Sequence, residues 1–354
     1  MIESKTAYFK HLDGVRAIAV LMVVWHHWYD KPSNFHISGA LGVGMFFVLS
    51  GFLITNILLK QQVDFQSGLA GVKAKILKTF YIRRTLRIFP IYYLYVGTLI
   101  VLGVGQAREI WPWLVGYAYN LLLFTTNNWH SGYVEHLWSL AIEEQYYLIW
   151  PFLLLSCPPR YNQYLIAGFI LLGMSTKAVL YLHAPDTQFS KFPFCQFDAF
   201  GLGSALSLLW QRKVNIPFAG ILMWVFWAAA LSIPFKVFHF HGLSFLGQVL
   251  PLYYTGCALF IYVAAKGIKG IPGFFFDNSF VIYLGKISYG IYLYHLFVPD
   301  FVKWILPQMG LPMPSREVGW ILYSLLTFAI CSISWFLIEK PINQLKDRYA
   351  YKAA

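Results

Sequence analysis

The sequence has few charged residues and no extended polar stretch. Of its 354 residues only 12% are charged, against about 25% in an ordinary soluble domain. Hydrophobic residues make up 58% and aromatic residues 19%. A soluble fold of this length would have too few charges to cover its surface, and a chain this apolar does not stay disordered. The composition therefore excludes both classes and indicates a protein that is surrounded mostly by lipid.

Neither a cysteine framework nor a cleavable leader is predicted from the sequence. Its four cysteines, Cys157, Cys195, Cys257 and Cys331, show no CxxC spacing, so neither a metal site nor a set of disulfides is predicted. The mixed-charge start, MIESKTAYFKHLDGVR, precedes a long apolar run without a small-residue cleavage site. No connecting stretch is long enough for a soluble domain, and we predict a single membrane-embedded domain over residues 1–354.

Long apolar segments follow one another along the whole chain. A transmembrane helix needs about 20 apolar residues, and ten segments approach that length: 15–34, 40–59, 85–105, 137–156, 163–182, 197–211, 217–234, 243–265, 280–306 and 318–339. The stretch 111–124 is shorter and is interrupted by Gly and Asn, which favours an interfacial or re-entrant helix. We predict an all-α polytopic membrane protein with about ten transmembrane helices plus this short one.

The basic residues are distributed unevenly between the two sides of this arrangement. With the N-terminus in the cytoplasm, 18 lysines and arginines fall on the cytoplasmic side and six on the other, as the positive-inside rule requires. Both termini are then cytoplasmic, and the net charge of +12 is mostly topological, so no nucleic-acid partner is predicted. The densest basic segment, 60–87, is suited either to anionic lipid or to a soluble polyanionic ligand.

Ionisable residues inside the first predicted span are functional candidates, because they are costly in a membrane. The segment opens with Asp13 and Arg16, and His26 and His27 follow near its end. Arg16 and His27 are eleven residues apart, which is three helical turns and about 16 Å. They share a face, whereas His26 points about 100° away. The alternative is an interfacial aromatic belt, WHHW, with two hydrated histidines.

The third predicted span begins with three arginines, Arg83, Arg84 and Arg87. Spacings of three and four residues place their guanidinium groups on adjoining faces of the first turns. Such a group is able to bind a pyrophosphate or a sugar phosphate through paired hydrogen bonds. The alternative is a signal that only sets the topology.

Further polar residues lie within apolar surroundings. His136, Ser139 and Glu143 form one stripe of a helix, with Glu144 to one side; structural pairing of the carboxylates with an arginine is the alternative. Asp198 and His295 are more often satisfied helix-packing contacts, and for Ser50, which precedes a glycine, close helix packing is favoured.

Seven motifs occur in the order found in one known family. They are DGVRAIAVLMVVWHH, FFVLSGFLI, RTLR, HLWSLAIEEQYYLIWP, FDAFGLG, ISYGIYLYH and FLIEKP. Together they resemble the acyltransferase-3 family of integral membrane O-acyltransferases, whose opening pattern of Arg, ten residues and His selects His27 over His26. The sequence ends soon after its last apolar segment without an SGNH hydrolase-like domain, and so is similar to the stand-alone O-antigen and exopolysaccharide members.

The resemblance implies acyl transfer in a bacterial inner membrane. The donor would be cytoplasmic acyl-CoA, in particular acetyl-CoA, and the acceptor a hydroxyl of an extracytoplasmic, lipid-linked glycan. His27 would act as general base, with Glu143 orienting its imidazole, and no metal is implied. An acyl-His27 intermediate is equally permissible. CoA phosphates would be held by Arg16, Arg83, Arg84 and Arg87.

Other functions also place ionisable residues inside membranes. A transporter or flippase for a polar or anionic solute is the main alternative, although the sequence has no internal repeat of the transporter kind. An acyltransferase for a small lipophilic acceptor is a second alternative. A non-enzymatic scaffold is a third, and it would tolerate replacement of His27.

Overall fold

The fold is made of helices and turns. A computed structural model describes residues 8–28, 37–65, 72–130, 132–232 and 251–349, and within these ranges there are helices and no strand. The all-α class predicted from the apolar segments is therefore confirmed.

The helices are numbered in chain order. The α-helices before residue 233 are α1 (Lys10–Trp28), α2 (Ile37–Phe65), α3 (Val72–Leu102), α4 (Trp111–Val115), α5 (Tyr119–Thr126), α6 (Gly132–Glu135), α7 (Leu137–Ser156), α8 (Asn162–His183), α9 (Phe197–Gln211) and α10 (Ala219–Ser232). Those after residue 250 are α11 (Leu252–Lys266), α12 (Ile271–Asp277), α13 (Ser279–Lys286), α14 (Ser288–Tyr294), α15 (Phe297–Gln308), α16 (Arg316–Ser334) and α17 (Lys340–Gln344). Short 3₁₀ turns cover Pro159–Tyr161, Phe189–Lys191, Pro193–Gln196 and Leu345–Tyr349, and a π-helical turn covers Trp335–Glu339.

Only some of the described helices are long and apolar enough to cross a membrane. Four satisfy both conditions, over Ser38–Gln62, Val72–Leu102, Pro159–His183 and Arg316–Gln344. The pair α11 and α12, bent by 81°, makes a fifth if it counts as one span. The predicted number of ten is thus not confirmed. The ends of three predicted spans, at 29–34, 233–234 and 243–250, lie outside the described residues.

Two apolar segments are not continuous helices. The predicted span 280–306 consists of α13, α14 and α15, and its breaks coincide with side chains that bond to helix carbonyls. The Ser288 hydroxyl donates to the Gly285 carbonyl, and His295 Nδ1 lies 2.7 Å from the Tyr292 carbonyl. The short stretch 111–124 is divided between α4 and α5 at Tyr117, whose φ is +50°. It does not form a single spanning helix.

Helix α2 lies at the centre of the bundle and fixes the helices around it. It packs mainly against α9 and α1. At the α2–α9 crossing, a Cβ on Gly51 would collide with the Phe200 carbonyl, and one on Gly203 would collide with the Val48 carbonyl. Small residues thus let the two backbones touch, and this contact holds Ser50, the neighbour of Gly51, in place.

The two ends of the bundle are distinguished by contacts between distant segments. At one end Arg83 Nη1, near the start of α3, donates to the carbonyls of Lys346 (2.7 Å) and Tyr349 (3.1 Å). The start of α3 and the C-terminal segment therefore lie together. At the other end of α1, His27 approaches Glu135 of α6.

Reporter fusions test the predicted orientation of these ends. Fusions after residues 65, 214 and 354 are expected to report cytoplasm, and fusions after 33, 130, 187 and 312 the opposite side, because of the 18-to-6 charge bias. Paired phosphatase and fluorescent-protein reporters provide the measurement. A cytoplasmic signal at 130 would contradict the predicted orientation of the segment 111–124.

Candidate active site

A cavity, which we call the arginine cavity, opens between α1, α2, α3, α7 and α14. Its volume is about 830 Å³, including space that is open to solvent. Polar and aromatic side chains make up much of its wall, and apolar residues of α2 provide another part. The lining residues include Arg16, Ser50, Arg84, Arg87, Ser139, Glu143, Glu144, Tyr147, Ser288, Tyr289 and Tyr292. The first seven of these are all residues predicted from the sequence as site candidates, and Arg84, Arg87 and Arg16 are brought together.

Arg16 is the one cavity arginine with a carboxylate partner among the described residues. Its Nη1 lies 2.5 Å from Asp13 Oδ1, and Tyr8 donates a hydrogen bond to the other oxygen of Asp13. Asp13 is buried where Gly285 of α13 crosses α1. The role of Asp13 in the structure is thus to fix and neutralise Arg16.

Arg84 and Arg87 keep their hydrogen-bond donors available. The Arg84 guanidinium lies 4.7 Å from the centre of the Tyr147 ring, a cation–π contact. Neither arginine forms an ion pair with a described carboxylate. Arg87 is exposed to the cavity. Two unpaired guanidinium groups in one cavity are suited to an anionic ligand.

Arg83 does not line the cavity. It was predicted from spacing to act with Arg84 and Arg87, but its guanidinium is directed to the carbonyls of Lys346 and Tyr349. Adjacent residues on a helix differ by about 100° in direction, and this difference is large enough to separate Arg83 from the cavity.

The two adjacent carboxylates of α7 both face the cavity. Glu143 Oε1 accepts hydrogen bonds from the hydroxyls of Ser50 and Tyr147, and these two hydroxyls lie 3.0 Å apart. The predicted contact of Glu143 with His27 is not formed. The carboxylate that approaches His27 is Glu135 of α6, and Glu143 lines the arginine cavity instead.

One ring nitrogen of His27 is engaged in hydrogen bonds, and the other has no hydrogen-bond partner among the described residues. Its Nδ1 lies 2.9 Å from the Val23 carbonyl and 3.0 Å from His295 Nε2. His295 Nδ1 donates to the Tyr292 carbonyl, so the Nε2 of a neutral His295 is an acceptor. These bonds assign the proton of His27 to Nδ1 and leave a lone pair on Nε2. The Oε1 of Glu135 is 3.8 Å from that Nε2.

A layer of polar groups, which we call the histidine layer, connects the cavity with His27. Its members are His136, Ser139, Tyr292 and His295. Tyr292 and Ser139 line the cavity, and each donates a hydrogen bond of 3.1 Å to the His136 carbonyl. The rings of His136 and His295 are 5.2 Å apart between centres, and those of His295 and His27 are 4.8 Å apart. His26, by contrast, packs against Gly39 of α2.

Asp198 lies apart from both groups. It forms an ion pair of 2.6 Å with Lys177, and its side chain is 0% exposed. The pair links α8 with α9 and does not line the cavity. Asp198 therefore has the packing contact that its surroundings favoured.

Sequence reasoning missed Glu135 and Tyr292. Glu135 precedes the apolar run of α7, where a carboxylate is expected to be hydrated, so it carried no signal. Tyr292 was one aromatic residue among many in ISYGIYLYH. Tyr292 reaches the histidines through the packing of α14, and Glu135 reaches His27 from the end of α6.

Comparisons with known proteins identify relatives along nearly the whole chain. It is 32% identical over 367 residues to the peptidoglycan O-acetyltransferase OatA of Listeria monocytogenes, covering 95% of this chain and 56% of that protein. It is 30% identical over 386 residues to the putative peptidoglycan O-acetyltransferase YrhL of Bacillus subtilis, covering 95% and 55% respectively. The chain thus spans little more than half the length of these relatives. No solved structure matches it.

A recognised domain covers nearly the whole described chain. The acyltransferase domain that defines the family matches residues 9–339, a range that contains both the arginine cavity and the histidine layer. The chain therefore belongs to the acyltransferase-3 family of membrane proteins.

Proposed function

We propose that this protein transfers an acetyl group from cytoplasmic acetyl-CoA to a hydroxyl of an extracytoplasmic glycan. The observation that carries the proposal is the arrangement along α1. Arg16 lines a cavity with two unpaired arginines, and His27, about 16 Å further along the helix, has a free Nε2. Donor binding and proton transfer are thereby assigned to opposite ends of one helix.

The donor end is suited to the phosphates of CoA. Arg84 and Arg87 offer planar groups of N–H donors, which bind phosphate through paired hydrogen bonds. The extended pantetheine arm would follow the cavity towards Ser139 and Tyr292, which line its wall. The thioester would then lie next to the histidine layer.

The chemistry needs one base and no metal. His27 Nε2 accepts the proton of the sugar hydroxyl as the hydroxyl oxygen attacks the thioester carbonyl. The new C–O bond forms, the C–S bond breaks, and the CoA thiolate leaves with the proton returned by His27. His295, a positioning residue, accepts the hydrogen bond of His27 Nδ1 and keeps the lone pair on Nε2.

The acceptor is a glycan of the bacterial cell envelope, and the enzyme lies in the inner membrane with both termini in the cytoplasm. The resemblance described from the sequence is to members that modify a lipid-linked O-antigen or an exopolysaccharide. The names of the relatives from Listeria and Bacillus favour peptidoglycan. Both acceptors present a sugar hydroxyl outside the cytoplasm, and the choice between them is made by experiment.

Transfer in proteoliposomes tests the proposal. Purified full-length protein is supplied with acetyl-labelled acetyl-CoA and with one of three acceptors: a peptidoglycan disaccharide, a lipid-linked O-antigen repeat or a long-chain alcohol. We expect alkali-labile label on a glycan, with one free CoA thiol released per ester formed. Label on the alcohol alone would support a lipophilic acceptor, and solute uptake without ester formation would support a transporter.

A further inference from the structure

Four side chains meet at the end of the bundle that lies away from the arginine cavity. They come from the segment before α6, from α6, from α7 and from the 3₁₀ turn Phe189–Lys191, and we call them the Lys191 cluster. Lys191 Nζ lies 3.7 Å from the ring centre of Trp138 and 5.3 Å from that of Trp129. Glu135 completes the cluster. None of these residues has a role in the donor chemistry described above.

The Lys191 ammonium has unused hydrogen-bond donors. Its side chain is partly buried against the two tryptophans, and no described residue accepts a hydrogen bond from Nζ. An ammonium group carries three donors. Burial lowers the pKa of Lys191 to about 8, although the nearby Glu135 carboxylate opposes this shift. A cation held in this way has donors to offer to the oxygen atoms of a ligand.

The rest of the cluster offers a flat apolar surface and an acceptor. The Trp129 side chain is 41% exposed, and an exposed indole can cover the apolar face of a ring. Glu135 is 32% exposed, and its Oε1 lies 3.8 Å from the free Nε2 of His27. A molecule that contacts Lys191 and Glu135 would therefore also reach the base.

The position of Lys191 is fixed by the backbone. Its carbonyl accepts a hydrogen bond of 3.2 Å from Asn120 Nδ2, and the Asn120 side chain is bonded in turn to Gln145 of α7. The turn that carries Lys191 is thus tied to α5 and α7. This anchoring fixes the backbone of Lys191 relative to α5 and α7, and a site that positions one hydroxyl requires such a fixed framework.

We propose that the Lys191 cluster is the subsite that binds a pyranose unit of the acceptor. Lys191 donates to a substituent oxygen of the sugar, Trp129 stacks on the ring, and Glu135 accepts a hydrogen bond from a hydroxyl. The neighbouring hydroxyl then faces His27 Nε2. This assignment rests on the proposed acetyl transfer and adds to it the residues that select a sugar.

Steady-state kinetics of Lys191→Met tests the subsite. We expect the KM for the glycan to rise about tenfold or more, because charged hydrogen bonds to the sugar are lost. The KM for acetyl-CoA and kcat at saturating acceptor are expected to stay within about twofold, since the donor cavity and His27 are untouched. Lys303→Met is the matched control: Lys303 is exposed, is paired with Asp300 and is outside the cluster. It should match the wild type.

Two further variants separate binding from packing. Lys191→Arg keeps the charge and the donors and should recover most of the acceptor affinity. Trp129→Ala should raise the acceptor KM, whereas Trp304→Ala, which removes an exposed tryptophan on α15, should not. Equal losses in Lys191→Arg and Lys191→Met would indicate a packing role and overturn the subsite.

The result can be distinguished from a failure of the proposed function. If wild-type protein acetylates a glycan and Lys191→Met has a normal acceptor KM, the subsite is wrong and the transfer reaction stands. If wild-type protein acetylates no glycan, binding of the peptidoglycan disaccharide is measured directly by tryptophan fluorescence. Binding that is weakened in Lys191→Met and unchanged in Lys303→Met would still support the subsite, and equal binding would exclude it.

Discussion

His27→Ala is expected to lower the rate of acetyl transfer by about 10²–10⁴-fold, the usual contribution of a general base. The hydrogen bonds of its Nδ1 to Val23 and His295 leave Nε2 as the one nitrogen able to take the hydroxyl proton. The substitution removes that nitrogen and should leave the backbone of α1 in place, because the backbone is held by the hydrogen bonds of the helix itself. Transfer of labelled acetyl at matched expression levels is the measurement.

His26→Ala is the matched control for His27, the proposed general base. The two residues are adjacent in sequence, but His26 packs against Gly39 and not against His295. It should retain much of the activity. Near-normal transfer in His27→Ala would refute the catalytic role, and loss of transfer only in His26→Ala would assign the base to the other histidine.

The double variant Arg84→Gln/Arg87→Gln is expected to raise the KM for acetyl-CoA by about two orders of magnitude or more. Each charge-assisted hydrogen bond to phosphate contributes about 1.5–3 kcal/mol, and about 1.4 kcal/mol corresponds to a tenfold change in affinity. The KM for the glycan should change little, because the acceptor is assigned to the other end of α1. Lysine at both positions should rescue only in part, since it lacks the paired donors.

Arg83→Gln is the control that the structure offers. Arg83 lies beside Arg84 in sequence and carries the same charge, but it bonds to the carbonyls of Lys346 and Tyr349 outside the cavity. Its replacement should lower thermal stability without changing the KM for acetyl-CoA. If all three arginines affected the KM equally, long-range charge and not direct contact would be responsible.

Composition predicted the class of fold, and spacing predicted that Arg84 and Arg87 lie together, for a physical reason. Lipid exposure is a property of whole segments, and residues three or four apart on one helix must share a face. Arg84 and Arg87 follow from this rule, but the rule also grouped Arg83 with them, and Arg83 lies outside the cavity. The breaks in the predicted span 280–306 do not follow from the rule. The side chains of Ser288 and His295 bond to carbonyls there and interrupt the helix, whereas the hydropathy of the segment is continuous.

The partners of His27 are determined by contacts between helices. The spacing of residues within one helix carries no information about such contacts. Glu143 lies on the stripe predicted from the sequence, but its carboxylate accepts hydrogen bonds from Ser50 and Tyr147, and Glu135 of α6 approaches His27 instead. His295 reaches His27 from a segment 268 residues away. Lys191 stands in a connection between two helices, a place where a lysine is ordinarily hydrated. Only the assembled bundle brings these residues together.

The glycine contact between α2 and α9 also determines how the active site can change. Gly51 and Gly203 lock α2 against α9, so α2 cannot slide when its other side chains are altered. Phe46 and Leu53 of α2 line the cavity on the opposite side from this contact. Replacing them with smaller residues would therefore leave added volume that the helix does not move to fill. The size of the acyl group that fits can then vary through these side chains while the backbone of α2 keeps its position.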